Sequence, residues 1–176
     1  SYVKMTGPVG PNGEQAISET WFHQGNDVTA NVNNPNVPNG YTKGLPYRTK
    51  ITDSTGRVYS DSTTTYAADV DGVAPFFTPV AQVDASIDNG AKLTRTAYVQ
   101  YDAYGNVLRE DQMGDLSTTN DDRTVIRTFA NNMTDWLIGF PTSETSYAGI
   151  GTTTQVAQTT LYYDGTTGCS VASMNQ

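Results

Sequence analysis

Residues 98–108 read YVQYDAYGNVL, in which a strand pattern, a turn signal and a second strand pattern follow one another. Tyr98 and Tyr101 end the stretch 93–101, which is rich in Thr and Tyr and is typical of a half-buried strand. The Asp102-x-x-Gly105 pattern predicts a tight turn, because Asp accepts hydrogen bonds from the following N–H groups and Gly adopts a positive φ. Val107 then begins the return strand, so the stretch predicts an antiparallel hairpin.

The same turn pattern recurs in the chain. Asp53-x-x-Gly56 is a second copy, and Tyr163-Asp164 begins a third with one extra residue before its glycine. Alternating strand patterns occur at residues 16–22, 47–52, 93–101, 107–110, 122–129 and 154–163. The residues that we assign to the turns as structural residues are Asp53, Gly56, Tyr101, Asp102, Gly105, Tyr163 and Asp164.

Two weaker patterns concern prolines and a helical stripe. Pro8, Pro11, Pro35, Pro38, Pro75 and Pro79 are expected between strands, where a missing N–H group leaves no gap in the hydrogen-bond ladder. Apolar residues in 121–140 follow helical spacing in part, but Asn and Thr-Asp pairs interrupt them. This segment therefore allows at most one or two helical turns.

Composition narrows the class of protein. The chain of 176 residues has 10 Lys and Arg, 18 Asp and Glu, and a formal net charge of −8. This acidity argues against nucleic acid as a partner, since phosphate binding requires a basic surface. Only 36% of the residues are hydrophobic. The abundance of Thr and Tyr nevertheless favours an all-β protein with thin, half-solvated sheets over disorder.

Other classes are excluded by residues that the sequence lacks. No apolar run approaches the roughly 20 residues of a membrane-spanning helix. The single Cys169 cannot form an internal disulfide, and with the single His23 it cannot complete a Cys/His zinc site. The chain starts at Ser1 with neither a signal peptide nor an initiator Met, so we expect a piece of a longer protein.

A longer repeat links two distant stretches. Residues 44–46 (GLP) align with residues 139–141 (GFP), and each stretch has an aromatic residue three positions before its glycine. Another glycine follows each first glycine after twelve residues, where a hairpin turn is expected. The alignment predicts internal repeat units near residues 40–67 and 135–163, which bury their faces by stacking on neighbours.

The turn pattern also carries a family resemblance. Residues 98–108 resemble the YD repeat of Rhs proteins: an aromatic residue, two residues, Tyr-Asp, two residues, Gly, a polar residue and an apolar strand. Residues 51–59 resemble a degenerate copy, and 160–168 begin a third. Residues 21–26 and 43–48 are similar to stretches of large Rhs proteins and of the B components of insecticidal toxin complexes. The resemblance extends from about Glu19 to Gly168.

The resemblance implies a fold, a role and partners. Rhs proteins and toxin complexes use a long β-strip that spirals into a hollow shell around a C-terminal toxin, and teneurins use a similar shell in cell-surface adhesion. For residues 1–176 it implies one all-β segment of antiparallel hairpin repeats, forming a curved β-strip or shell wall. We expect a non-catalytic, secreted or cell-surface bacterial protein whose partners are neighbouring repeats and an enclosed toxin domain or a surface glycan.

Two other functions remain open. One is a carbohydrate- or receptor-binding β-sandwich at the cell surface, with aromatic side chains that stack on a ligand. The other is an assembling extracellular fibre subunit with open sheet edges. Cross-strand packing is the competing role for the aromatic residues. The ligand-stacking candidates are Trp21, Tyr98, Tyr104 and Trp136.

No catalytic, cofactor-binding or metal-binding residue is predicted. His23 is expected to be structural, because the sequence places no nucleophile and orienting carboxylate beside it. Residues 69–72 (DVDG) share positions with a calcium loop, yet Thr78 stands where the bidentate acid belongs, which favours a polar turn. No pattern marks a pair of carboxylates for glycoside hydrolysis. We therefore expect no enzymatic activity and no cofactor.

Overall fold

The computed structural model describes residues 1–24, 42–67 and 78–163. This part of the chain contains ten β-strands and no α-helix. The strands are β1 (Tyr2–Val9), β2 (Gln15–Phe22), β3 (Pro46–Asp53), β4 (Val58–Tyr66), β5 (Val80–Ile87), β6 (Lys92–Tyr101), β7 (Val107–Met113), β8 (Arg123–Asn132), β9 (Leu137–Ala148) and β10 (Thr154–Thr160).

All ten strands belong to one open antiparallel sheet, and their order in the sheet is their order in the chain. Each strand therefore pairs with the strand that follows it, which is the hairpin architecture that the turn signals predict. The predicted all-β fold is confirmed. The described strands form a single sheet, whereas the β-sandwich alternative requires two sheets.

Contacts divide the chain into two compact units. Unit 1 comprises Ser1–Thr96 and Asp115–Ser117, and unit 2 comprises Ala97–Gly114 and Thr118–Gln176. The single repeat segment predicted for residues 1–176 stays a prediction.

The sequence patterns located six of the strands but not β1, β4, β5 and β9. In β4 residues 60–65 (SDSTTT) are all polar, so they give no contrast between apolar and polar positions. In β9 Gly139 and Pro141 resemble loop residues, although both lie inside the strand. Residues 121–140, with their partial helical stripe, contain all of β8, a loop at 133–136 and the start of β9.

The prediction for Pro8 is wrong, because the structure places this residue inside β1. Strand β1 is at an edge of the described sheet, and its register with β2 shifts between Thr6 and Val9. An irregular position on an edge strand tolerates a missing N–H group, so proline fits there without an unpaired partner. Three of the other prolines, Pro35, Pro38 and Pro75, lie outside the described residues.

One face of unit 1 carries a ladder of opposite charges. The register of β1 to β4 places Lys4 opposite Glu19, Glu19 opposite Lys50, and Lys50 opposite Asp61. Side chains that lie directly opposite on neighbouring strands share one face and interact. Alternating signs across four strands therefore specify the register of this part of the sheet.

The opposite face of unit 1 alternates between apolar and small polar side chains. Met5 lies opposite Ser18, Ser18 opposite Ile51, Ile51 opposite Ser60, and Ser60 opposite Ile87. The three large side chains of this row are exposed. This row therefore forms an uncharged, exposed surface of the sheet and not an apolar core.

Buried side chains are concentrated around β8 in unit 2. Val125 and Ala130 are the buried aliphatic side chains of the described residues. Their neighbours Thr124 and Asn132 are polar and at most 2% exposed. A buried polar side chain must find hydrogen-bond partners within the protein. Much of the specificity of this core therefore comes from hydrogen bonds.

Candidate functional site

The turn after β3 is organised by one carboxylate. Asp53 Oδ1 accepts hydrogen bonds from the backbone N–H groups of Thr55 (2.8 Å) and Arg57 (3.0 Å) and from the Thr55 hydroxyl (2.6 Å). Gly56 has φ 90° and donates its N–H to the Asp53 carbonyl. The bond from the Thr55 hydroxyl is the main cause that lowers the pKa of Asp53. The carboxylate thus acts as the internal acceptor of the turn.

The turn after β6 repeats this geometry. Asp102 Oδ1 accepts from the N–H groups of Tyr104 and Asn106, both at 2.9 Å, and Oδ2 accepts from Asn106 Nδ2 at 2.8 Å. Gly105 has φ 87°. Partial burial raises the pKa of Asp102, but the hydrogen bonds from Asn106 and Tyr104 outweigh it and leave the pKa below its ordinary value. The two turns are built in the same way.

The tyrosines assigned to the turns have different surroundings. The Tyr101 ring lies 6.5 Å from the Tyr98 ring, and burial raises the pKa of the Tyr101 hydroxyl. Tyr163 donates its hydroxyl to the Pro141 carbonyl (2.7 Å) and meets the Phe140 ring edge-on at 5.3 Å. Tyr163 therefore fastens the chain after β10 to β9. Its neighbour Asp164 lies outside the described residues.

Of the ligand-stacking candidates, Trp21 already has packing partners. The Tyr2 ring stacks on it at 5.9 Å, and the Arg48 guanidinium lies 4.9 Å from its centre. Tyr2 and Arg48 come from the strands on either side of β2, so they flank the indole along the sheet. This arrangement is cross-strand packing with a cation–π contact, which leaves little of the ring for a ligand.

Trp136 has the opposite surroundings. Its side chain is 71% exposed, and its φ is 58°, a left-handed conformation that is an outlier for a bulky residue. It ends the loop between β8 and β9, in which Met133 is also exposed. Tyr104, in the turn after β6, is exposed to a smaller extent. The candidates thus separate into packed rings and presented rings.

Buried Asn132 holds the loop in which Trp136 stands. Its Oδ1 accepts from the N–H groups of Thr134 (2.9 Å) and Asp135 (3.2 Å), and its Nδ2 donates to Asp135 Oδ2 (2.9 Å). Asn131 Oδ1 accepts from the N–H of Gly139 at 3.0 Å. These bonds fix the backbone before and after Trp136. The exposed indole is therefore presented on an ordered loop.

A buried polar network behind β8 was not predicted. Thr124, with no exposed surface, donates its hydroxyl to Asp111 Oδ1 at 2.8 Å and accepts the N–H of Gly151 at 2.9 Å. Arg109 holds the Asp111 carboxylate with two bonds, at 3.0 and 2.9 Å. The spacing of Arg109 and Asp111 places both on one face of β7, which is the only signal that the sequence offers.

Two ion pairs in unit 1 border a shallow depression of about 280 Å³. Arg48 contacts Asp61 and Arg95 contacts Asp84, each with two nitrogens. The hydrogen bond from each guanidinium lowers the pKa of its carboxylate partner. Both acids are therefore held ionised at neutral pH, which is unsuited to a general acid.

His23 packs against aromatic rings at the end of β2. Its ring lies 4.9 Å from Tyr47 and 6.0 Å from Tyr66. The backbone N–H of His23 donates to the Leu45 carbonyl, and the backbone carbonyl of His23 accepts from the Gly44 N–H, both at 3.0 Å. These contacts continue the pairing of β2 with β3 beyond the strands.

Two absences concern residues 1–24, 42–67 and 78–163. Within these ranges no three His, Cys, Asp or Glu side chains come together as a metal site. The same ranges hold no helix of the length and apolarity needed to cross a membrane. The calcium-like residues 69–72 lie outside them.

No protein-family model matches the chain, and no curated protein gives a significant match.

Proposed function

We propose that this chain is a non-catalytic β-strip segment of a secreted or cell-surface protein of the Rhs/YD-repeat type, a wall that encloses or presents a toxin domain. The observation that carries the proposal is the sequential ten-stranded sheet together with the two Asp-x-x-Gly turns at Asp53 and Asp102, whose carboxylates accept from the same two backbone N–H positions. Such a sheet grows by adding one hairpin at a time, which is what a strip made of repeats requires.

The use of charged side chains supports a structural role. Arg48, Arg95 and Arg127 each pair with an acid on a neighbouring strand. Asp53 and Asp102 are occupied by the backbone of their own turns. These charged groups stabilise strand register and turn geometry. Their partners lie within the sheet and its turns, which accounts for the groups without a substrate.

The shape of the purified chain in solution tests the proposal. A compact globule of this length has a radius of gyration of about 16 Å. We expect small-angle X-ray scattering of the full chain to give a clearly larger radius and an elongated profile at the lowest concentrations. A radius near the globular value would contradict a strip and favour a closed binding domain.

The absence of catalysis needs its own test. We expect no hydrolase turnover from the purified chain, and we expect His23→Ala to change stability but no activity, since the ring packs on Tyr47 and Tyr66. A specific turnover that His23→Ala abolishes would refute the non-catalytic proposal.

A glycan- or receptor-binding surface is a second candidate, and the conformation of Trp136 favours it. The left-handed conformation costs a non-glycine residue about 1–2 kcal/mol. The Trp136 side chain is 71% exposed, so packing against the protein offsets little of this cost. A strained and exposed tryptophan on an ordered loop is suited to an external ligand.

Trp136→Gly tests this candidate. We expect the variant to raise the free energy of unfolding by about 1 kcal/mol, because glycine relieves the strain. We also expect it to lose binding on an array of neutral glycans. Trp21→Phe is the matched control, since Trp21 is already packed and its replacement is expected to leave binding unchanged. Equal glycan signals for the native chain and Trp136→Gly would remove the candidate.

A further inference from the structure

The two edges of the described sheet are chemically unequal. Strand β1 carries Lys4, Pro8 and a register irregularity between Thr6 and Val9. A lysine, a proline and a bulge on an edge strand all hinder the addition of another strand. The β1 edge is therefore protected against pairing.

Strand β10 lacks the charge and the proline. Its sequence from Thr154 to Thr160 is TQVAQTT, and all seven residues are exposed. Each of the other nine described strands contains at least one Asp, Glu, Lys or Arg. The single uncharged strand thus lies at an edge, where a charge is most useful for preventing association.

The only irregularity of β10 lies near its start. Its register with β9 shifts between Gln155 and Ala157, so Val156 is the extra residue of a bulge. From Ala157 to Thr160 the pairing is regular. A regular edge segment directs alternate backbone N–H and C=O groups outward, where another strand can pair with them.

We propose that β10 is the self-association edge of this protein and that its partner is β10 of a second copy, paired in antiparallel orientation. This proposal does not depend on the Rhs/YD-repeat role. Two copies of a chain with net charge −8 repel each other, and the uncharged β10 is the strand on which approach adds no direct like-charge contact.

The inequality of the edges also predicts the size of the assembly. Pairing of β10 with itself is isologous, so it uses the same edge on both copies and closes after two. A fibre requires β1 of one copy to pair with β10 of the next. Because β1 is protected, the assembly is expected to stop at a dimer. Contact along one short strand buries little surface, so the dimer is weak and depends on concentration.

Two lysine substitutions at exposed edge positions form the test. Gln158→Lys places a charge on β10, and Met5→Lys places the same charge on β1. Both change the net charge of −8 by the same amount, so any general effect of charge is matched. Sedimentation of the full chain over about a hundredfold range of concentration measures the dissociation constant. Thermal melting verifies that both variants fold.

We expect the native chain to pass from monomer to dimer without larger species. Gln158→Lys is expected to weaken the dimer by about tenfold or more, because two added charges meet across the two-fold axis. Met5→Lys is expected to leave it unchanged. Hydrogen exchange of the native chain is expected to slow at β10, and not at β1, as concentration rises.

Three results would overturn the proposal. Polymers that both variants weaken would show head-to-tail pairing of β1 with β10. Association that neither variant affects would place the contact on a sheet face. A monomer at every concentration with slow exchange at β10 would show that the chain covers this edge itself.

Discussion

The stretch from Pro46 to Tyr66 in unit 1 and the stretch from Pro141 to Tyr163 in unit 2 share one frame. Each begins two residues after a glycine with φ 84°, Gly44 in the first and Gly139 in the second. In each, the final tyrosine donates its hydroxyl to the carbonyl of the starting proline at 2.7 Å. The aligned residues therefore occupy equivalent positions in two hairpins.

The hairpins differ at their turns. In the first, Asp53 satisfies the turn N–H groups from within the turn. In the second, residues 148–151 (AGIG) have no carboxylate, and the Gly151 N–H instead reaches the Thr124 hydroxyl on β8. The difference shows that one frame can use a local acceptor or a distant buried one. Removing an exposed local acceptor is expected to lower the free energy of unfolding only a little. Removing a buried acceptor is expected to lower it more, because the same side chain also bonds to groups in the core.

The largest expected effect therefore comes from Thr124→Val. This change keeps the shape of the side chain but removes the partner of the buried Asp111 carboxylate and of the half-buried Gly151 N–H. Such losses cost about 2–3 kcal/mol, because buried polar groups are left unpaired. Chemical denaturation measures the loss of unfolding free energy.

Thr128→Val is the matched control for Thr124→Val. Thr128 lies on the same strand and the same face, but its hydroxyl bonds to Thr142 and Ser143 at the surface. We expect a loss below about 0.5 kcal/mol. Equal losses from the two variants would contradict the view that burial distinguishes the two kinds of turn acceptor.

The next effect concerns the turn with the local acceptor. Gly56→Val places a β-branched residue at φ 90° and is expected to cost about 1–2 kcal/mol. Space is not the reason, since a Cβ atom at Gly56 has no neighbour within 4 Å. Gly56→Asn should cost less, because Asn tolerates positive φ. If the native chain and Gly56→Val have the same free energy of unfolding in denaturation, valine is not strained at this position and the prediction is wrong.

These turns show why the sequence predicts some features and not others. The turns at Asp53 and Asp102 are contained within five residues, so their geometry follows from local chemistry that the sequence displays. Thr124 and Gly151 lie 27 residues apart, and their bond exists only because β8 lies beside the second turn. No local pattern encodes that contact.

The same distinction applies to the aromatic candidates. The sequence proposes Trp21 and Trp136 as ligand-stacking candidates on the same ground, namely that each is an aromatic ring that could be exposed. The contact of Trp21 with Arg48 depends on the register between β2 and β3, and the exposure of Trp136 depends on the loop held by Asn132. Strand composition predicts that a sheet forms, while register decides which rings remain available.

The shared frame of the two hairpins is tested by removing one hydroxyl from each. Tyr66→Phe and Tyr163→Phe each break one bond to a proline carbonyl. A hydrogen bond of this kind contributes about 0.5–1.5 kcal/mol, so we expect similar losses within that range for both variants. Thermal melting of the two variants beside the native chain measures them. A loss in one hairpin alone would show that the equivalence is geometric but not energetic.

The smallest expected effect is a pH dependence that the turn at Asp53 shows and the turn at Gly151 does not. The hydrogen bonds from Thr55 hold the pKa of Asp53 below its usual value, which is about 3.9 in an unfolded chain. Because the pKa is lower in the folded state, the ionised carboxylate stabilises the turn at pH values above the unfolded pKa. This stabilisation is lost as the pH falls through the folded pKa. We expect an NMR titration of the Thr55 amide to give a midpoint below about 3.9, and Asp53→Asn to abolish it. The Gly151 amide bonds to a hydroxyl, so its signal should not follow the Asp53 titration. A Thr55 midpoint above the unfolded value would mean that the carboxylate does not organise the first turn.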